Sequence, residues 1–146
     1  MGKSESGSNK QIMDCLNNIF QKEMAGIIRY LHYSFMIMGY NRIPIQKWFR
    51  DKATENMAHT VVIGEKITAL GGHPPLVIAQ VPETRSHLID NILKESLEFE
   101  RDALEDYKEL VGLAGQDIAL EELAREFVRQ ETEHLEEVEK MLRKTK

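Results

Sequence analysis

From Ile118 to Leu142 the chain repeats apolar residues in steps of three and four, at Leu120, Leu123, Phe127, Val138 and Met141, and the same face carries Glu131 and His134. Such steps put side chains on one side of an α-helix, so this segment predicts a long helix with a core-facing stripe. The two polar residues interrupt the stripe near its middle. A carboxylate or imidazole buried without a partner is costly to the fold. The segment can be buried only if other elements bring compensating groups to the same depth.

Three more segments repeat the pattern. The first runs from about Asn9 to Gly39 with the stripe Ile12, Leu16, Ile19, Glu23, Ile27, Tyr30, Ser34 and Ile37. The second opens near Pro44, a good first-turn residue, and ends at Gly71-Gly72; its stripe is Ile45, Phe49, Lys52, Asn56, His59, Ile63, Ile67 and Leu70. The third runs from about Thr84 to Leu113, with Ile89, Leu93, Leu97, Glu100, Leu104, Tyr107 and Val111 facing in. No strand-like alternation competes with these patterns, and the class is all-α. A polar leader, residues 1–8, is expected to be disordered before a single bundle domain over 9–146. Its Gly2 and Ser6 fit a myristoylation pattern that short polar leaders often meet by chance.

The connections set the topology. Short links between the first and second helices, and between the third and fourth, predict antiparallel neighbours. The middle connection, His73 to Glu83, holds Pro74, Pro75 and Pro82. Extended, it reaches roughly 36 Å at about 3.3 Å per residue. The helix from Ile45 to Leu70 is roughly 39 Å long at about 1.5 Å per residue. The linker can therefore travel the bundle, joining two antiparallel pairs by one long crossover.

Each helix now carries a ligand-type group at mid-stripe: Glu23; Asn56 with His59; Glu100; Glu131 with His134. Glu23 and His59 stand about as far apart in sequence as Glu100 and His134, a near two-fold repeat. Taken singly, a Glu on such a stripe snorkels or ends in an ion pair, and a His is a hydrogen-bonded core residue. Together, carboxylates and imidazoles from four helices form the donor set of a dinuclear site that suits iron or manganese. Composition agrees with this class. A net charge of -5 on 146 residues fits a protein that attracts cations and gives no footing for nucleic acid. No apolar run is long enough to span a membrane, and the single Cys15 on the apolar face of the first helix suits a reducing, cytoplasmic setting.

In Gln21-Lys-Glu-Met-Ala-Gly-Ile-Ile-Arg-Tyr30, Asn56-Met-Ala-His59, Leu97-Glu-Phe-Glu100 and Glu131-Thr-Glu-His134 the chain resembles the bacterioferritins, over about Gln11 to Leu142. The resemblance implies a ferritin-like four-helix bundle that oxidises Fe(II) with dioxygen or peroxide and stores or detoxifies iron in an oligomeric shell. It implies Glu23 and Glu100 as terminal iron ligands, His59 and His134 as imidazole ligands, and Glu131 as a bridge. Tyr30 matches a tyrosine implicated in electron transfer, with a plain core aromatic as the equal alternative. Met57 matches the methionine that binds haem b across a two-fold dimer interface. Ala53, Thr60, Val61, Gly64 and Thr68 around it would leave a shallow groove, and a methionine filling a dimer seam explains it as well.

Two departures matter. Asn56 stands where the family has its second bridging glutamate, so the site loses a negative charge and gains a neutral carbonyl oxygen. Neighbouring Glu55 points about 100° away around the helix and reaches a metal only if the helix rotates. Weak, asymmetric or mononuclear binding with reduced oxidation is therefore expected, with Glu131 and His134 as the stronger position. The chain also stops at Lys146, where bacterioferritins continue into a fifth helix. A dimer, a smaller 12-subunit shell resembling Dps, or a 24-subunit cage with open pores are all left open. Other functions stay open too: a non-storage di-iron oxidase or peroxidase, or a haem-binding or structural assembly whose metal site has degraded. A rubrerythrin would ordinarily carry paired Cys-x-x-Cys, which one cysteine cannot supply.

Overall fold

A computed structural model describes residues 2–144, with side chains from Asn9 onward. The side chains of residues 1–8, where the polar leader is expected, lie outside the described residues. Four helices follow in order: α1 (Gly2–Met36), α2 (Arg42–Ala69), α3 (Ile89–Leu113) and α4 (Ile118–Leu142). Among the described residues there is no strand. Among the described residues no helix is long and apolar enough to cross a membrane.

The helix ends follow local chemistry. Asp117 caps α4 by accepting a hydrogen bond from the Leu120 N–H at 3.0 Å, satisfying a first-turn donor. α2 ends where Gly71, at φ +86°, turns the chain; Gly72 N–H donates to the Ile67 carbonyl and Gly71 N–H to that of Thr68. That reciprocal pair is a Schellman stop, which needs the left-handed conformation glycine adopts without strain. α3 begins later than the apolar spacing predicts, at Ile89 rather than near Thr84. Arg85 sits at φ +61°, which breaks a helical path, and the Thr84 N–H and hydroxyl both donate to Glu95. Ser86 then accepts from the Leu88 N–H at 3.1 Å.

The packing is that of two antiparallel hairpins. Glu23 of α1 faces His59 of α2, while Tyr30 stacks against Phe49, with ring centroids 5.8 Å apart. α1 and α3 are antiparallel as well, since Tyr30 meets Glu100 and Glu23 meets Tyr107. The crossover climbs beside α1: Ala79 N–H donates to the Gln21 carbonyl at 3.2 Å, Glu83 pairs with His32 at 2.5 Å, and His87 bonds the Met36 carbonyl at 2.9 Å. α2 and α4 are the loosest neighbours, with no Cα atoms within 8 Å of each other.

Two apolar cores lie along the bundle. One gathers Leu16, Ile19, Ile63, Leu110, Leu120 and Phe127; the other gathers Tyr33, Ile37, Phe49, Leu93, Leu97 and Val138. Each fully buried aliphatic or aromatic side chain contributes roughly 1.5–3 kcal/mol. The cores hold the four helices in register, and between them the polar mid-stripe residues share one level. The third stripe ends on Leu110, which is fully buried, rather than on Val111, which only packs at the edge.

Candidate metal centre

Glu23, Asn56, His59, Glu100, Glu131 and His134 are all buried in the layer between the two cores, and Glu131 is 1% exposed. One ligand atom each from Glu23, His59 and Glu131 lie within 4.8 Å of one another, the reach of a single ion. Four buried atoms here have no hydrogen-bond partner: Glu23 Oε2, Asn56 Oδ1, His59 Nδ1 and Glu131 Oε2. Buried polar atoms are ordinarily satisfied, so four orphans in one layer, three of them on the clustered residues, mark a place built for something else. Their chemistry, carboxylate oxygen, carbonyl oxygen and imidazole nitrogen, fits a hard or borderline divalent cation.

The orientation of His59 supports this use. Gln130 Nε2 donates to Glu126 Oε1 at 3.1 Å, which fixes its amide and turns Oε1 towards His59. His59 Nε2–H then donates to that oxygen at 2.8 Å, leaving Nδ1 to face Glu23 Oε2 at 3.5 Å. Burial disfavours a charged ring, but the Glu23 carboxylate facing Nδ1, with the hydrogen bond to Gln130, outweighs it and raises the His59 pKa. A proton therefore occupies this position in competition with a metal.

The other half of the layer is tied together by Tyr30. Tyr30 OH donates to Glu100 Oε1 and lies 3.4 Å from His134 Nε2, which is 3.9 Å from the same carboxylate oxygen. The His134 ring stacks on Trp48 at 5.0 Å. Burial holds the His134 pKa down at about 4, against the charge of Glu100 and with that of Lys52. Glu100 and Glu131 behave as a linked pair. Burial and the charge of Glu100 raise Glu131; burial would raise Glu100 too, but the adjoining Glu131 carboxyl and the charge of Lys52 bring it low.

The six residues singled out by spacing are thus brought to one level, with the single-ion cluster on the His59 side rather than the His134 side. Glu55 is not among them: its carboxylate is 62% exposed and 3.3 Å from Lys52 Nζ. Met57 is 57% exposed on the outer face of α2, away from the layer.

Sequence reasoning gave no role to three residues that shape the centre. Tyr107 OH donates to Glu23 Oε1, matching the bond from Tyr30 to Glu100. Burial and the adjoining carboxylates hold both phenols well above their usual range, so both remain donors. The signal was present, because Tyr107 follows Glu100 by the same seven residues by which Tyr30 follows Glu23. Lys52 sits one turn from Asn56 on the stripe and is 5% exposed, with Nζ 3.8 Å from Glu131 Oε1. Burial would lower its pKa, yet Glu100, Glu131, Glu55 and Glu23 together raise it. Gly26 leaves the space that Asn56 uses: a Cβ there would collide with the Asn56 side-chain nitrogen. No spacing rule announces that contact.

A crevice of about 660 Å³ opens between α2 and α4, lined by Trp48, Glu55, His59, Phe127, Gln130 and His134 among others. On the α1–α3 side a smaller cavity of about 120 Å³ touches Glu23, Gly26, Tyr30, Asn56 and Glu100. The centre is thus reached from two sides. Cys15 takes no part: burial pushes its thiol up to about 12, and it packs in the lower core.

No curated protein sequence matches the chain. Among solved structures it is similar to a ferritin-like, diiron-carboxylate protein from Bacillus anthracis str. Ames, at 22% identity and TM-score 0.88, covering 93% of this chain and 98% of that one. It is similar to a dodecameric thioferritin, the bacterioferritin-related protein from Bacteroides fragilis, at 23% identity and TM-score 0.83, covering 92% and 85%. It is similar also to the bacterioferritin of Rhodobacter capsulatus, described with a metal-free dinuclear site and haem iron, at 23% identity and TM-score 0.83, covering 91% and 84%. These likenesses establish the fold. A family model described as the ferritin-like domain matches residues 13–146, and the chain belongs to that family.

Proposed function

We propose that this chain is a bacterioferritin-like protein that takes Fe(II) as substrate at Glu23, His59 and Glu131, and oxidises it with dioxygen or peroxide. The observation that carries the reading is the set of four unpartnered, buried ligand atoms contributed by α1, α2 and α4. Carboxylates offset the charge of the ion, and His59, held by Gln130, sets one direction of approach. The crevice between α2 and α4 gives a cation a route from solvent to His59. The cavity beside Tyr30 and Asn56 has room for a small oxidant, since a water occupies about 30 Å³. When Fe(II) is bound there, it supplies the electron that the oxidant accepts.

Tyr30 is proposed as the electron relay. Its hydroxyl already points its proton at Glu100, which would receive it if the ring were oxidised. The Fe(III) product is proposed to be stored or detoxified inside a homo-oligomeric shell. Similarity to a dodecameric thioferritin supports a shell, and the exposed Ile28, Leu31, Phe35, Met57 and Val61 on α1 and α2 offer apolar surface for a second copy. On that surface Met57 is proposed to bind haem b between two copies. The proposed setting is the cytoplasm, where the thiol of Cys15 stays reduced.

The test is anaerobic Fe(II) titration followed by admission of air, with Fe(III) absorbance as the readout. Saturable binding and oxidation in wild type, lost in Glu131→Ala, are expected. A wild type no faster than buffer would overturn the reading and favour an assembly with a degraded site, for which Asn56 and Lys52 in the layer speak. Particle mass separates storage from a non-storage oxidase or peroxidase: a species of a dimer's mass overturns the shell.

A further inference from the structure

We propose that Lys52 is a resident cation that takes the second metal position of this bundle, so that the centre accepts one divalent ion rather than two. The inference rests on the metal-binding reading above and concerns how many ions that site holds. Every unpartnered buried ligand atom of the layer belongs to Glu23, Asn56, His59 or Glu131. A second ion would need Glu100 and His134 as its donors. One oxygen of Glu100, Oε1, is engaged by Tyr30, and His134 Nε2 lies 3.4 Å from the same hydroxyl. The Lys52 ammonium completes that half. It is buried, 3.8 Å from Glu131 Oε1 and 3.3 Å from Glu55 Oε2 at the rim.

Charge balance points the same way. The layer buries three carboxylates, Glu23, Glu100 and Glu131, against one ammonium. One divalent ion brings the ionised cluster to neutrality. A second would leave these buried groups with a net double positive charge, which is costly to hold in the layer. Asn56 removes the carboxylate that would otherwise absorb part of that excess. Lysine and asparagine thus act in concert, one filling a position and the other lowering the charge available.

Mn(II) is the probe, measured by equilibrium dialysis of the full chain together with its electron paramagnetic resonance spectrum. Wild type is expected to bind one Mn(II) per chain with the spectrum of an isolated ion. Lys52→Met and Lys52→Gln are expected to bind two, with the broadened, exchange-coupled spectrum of a pair. Two ions in wild type, or one ion in a folded Lys52 variant, would overturn the inference while leaving the metal site standing. No binding in wild type would instead overturn the site itself. Because the wild-type stoichiometry already decides, loss of folding in one variant does not rescue the idea.

Discussion

Tyr107 on α3 donates its hydroxyl to Glu23 on α1, and the bond is the antiparallel counterpart of the one Tyr30 makes to Glu100. The equal spacing of Glu and Tyr on both helices makes the exchange possible, because antiparallel neighbours bring each tyrosine to the other's glutamate. Each phenol satisfies one carboxylate oxygen and leaves the second oxygen for other uses. For Glu23 that second oxygen is one of the four orphans.

Removal of either hydroxyl leaves a buried carboxylate oxygen unsatisfied. Tyr107→Phe and Tyr30→Phe are each expected to lower stability by about 1–3 kcal/mol, read from urea unfolding of the metal-free protein. Iron oxidation separates them. Tyr30→Phe is expected to slow turnover with Fe(II) affinity kept, whereas equal slowing by Tyr107→Phe would deprive Tyr30 of its special role.

Gly26 and Asn56 form a steric pair. Gly26→Ala is expected to cost roughly 1–3 kcal/mol by overpacking, because the added Cβ would collide with the buried Asn56 amide and force it from its place. In Gly26→Ala with Asn56→Ala most of that cost should vanish, as read from a thermal-unfolding double-mutant cycle. Additive losses would mean that the two side chains do not compete for one space.

Asn56→Glu restores a carboxylate beside His59. An extra negative charge near a divalent ion is expected to tighten Fe(II) binding by about tenfold or more and to speed oxidation. Anaerobic titration followed by stopped-flow absorbance checks both. Oxidation no faster than wild type would count against Asn56 as the cause of a slow site.

The buried His134 makes stability depend on acid. It is held near 4 in the fold, and an unfolded histidine titrates near its ordinary value of 6.5, so the unfolded chain binds more protons between those values. Its contribution is full above about pH 6.5 and is lost as pH falls towards 4, about 3 kcal/mol in all at about 1.36 kcal/mol per unit. The stability difference between wild type and His134→Gln in metal-free protein should shrink across that window. A difference constant from pH 7 to pH 4 would show that His134 is not buried neutral.

The helices and their mid-layer were legible in the chain because helical periodicity is local. Steps of three and four place Glu23, Asn56, His59, Glu100, Glu131 and His134 on inward faces whatever the partners are. The length of the Pro-rich connection likewise limited the topology to a crossover. The start of α3 was not legible in this way, since Arg85 at positive φ and the hold of Glu95 on Thr84 are properties of the folded backbone.

What the amino-acid sequence determined by itself was the class of the site: carboxylates and imidazoles at one depth in an all-α bundle. Only the tertiary structure decided which of them cooperate. It set Glu23, His59 and Glu131 within reach of one ion, tied Glu100 and His134 to Tyr30, and carried Lys52 inward beside Glu131. The physical reason is that periodicity fixes the direction of a side chain to within a helix face. Distances of a few ångströms between helices depend on packing, on the space left by Gly26, and on how buried charges find their partners.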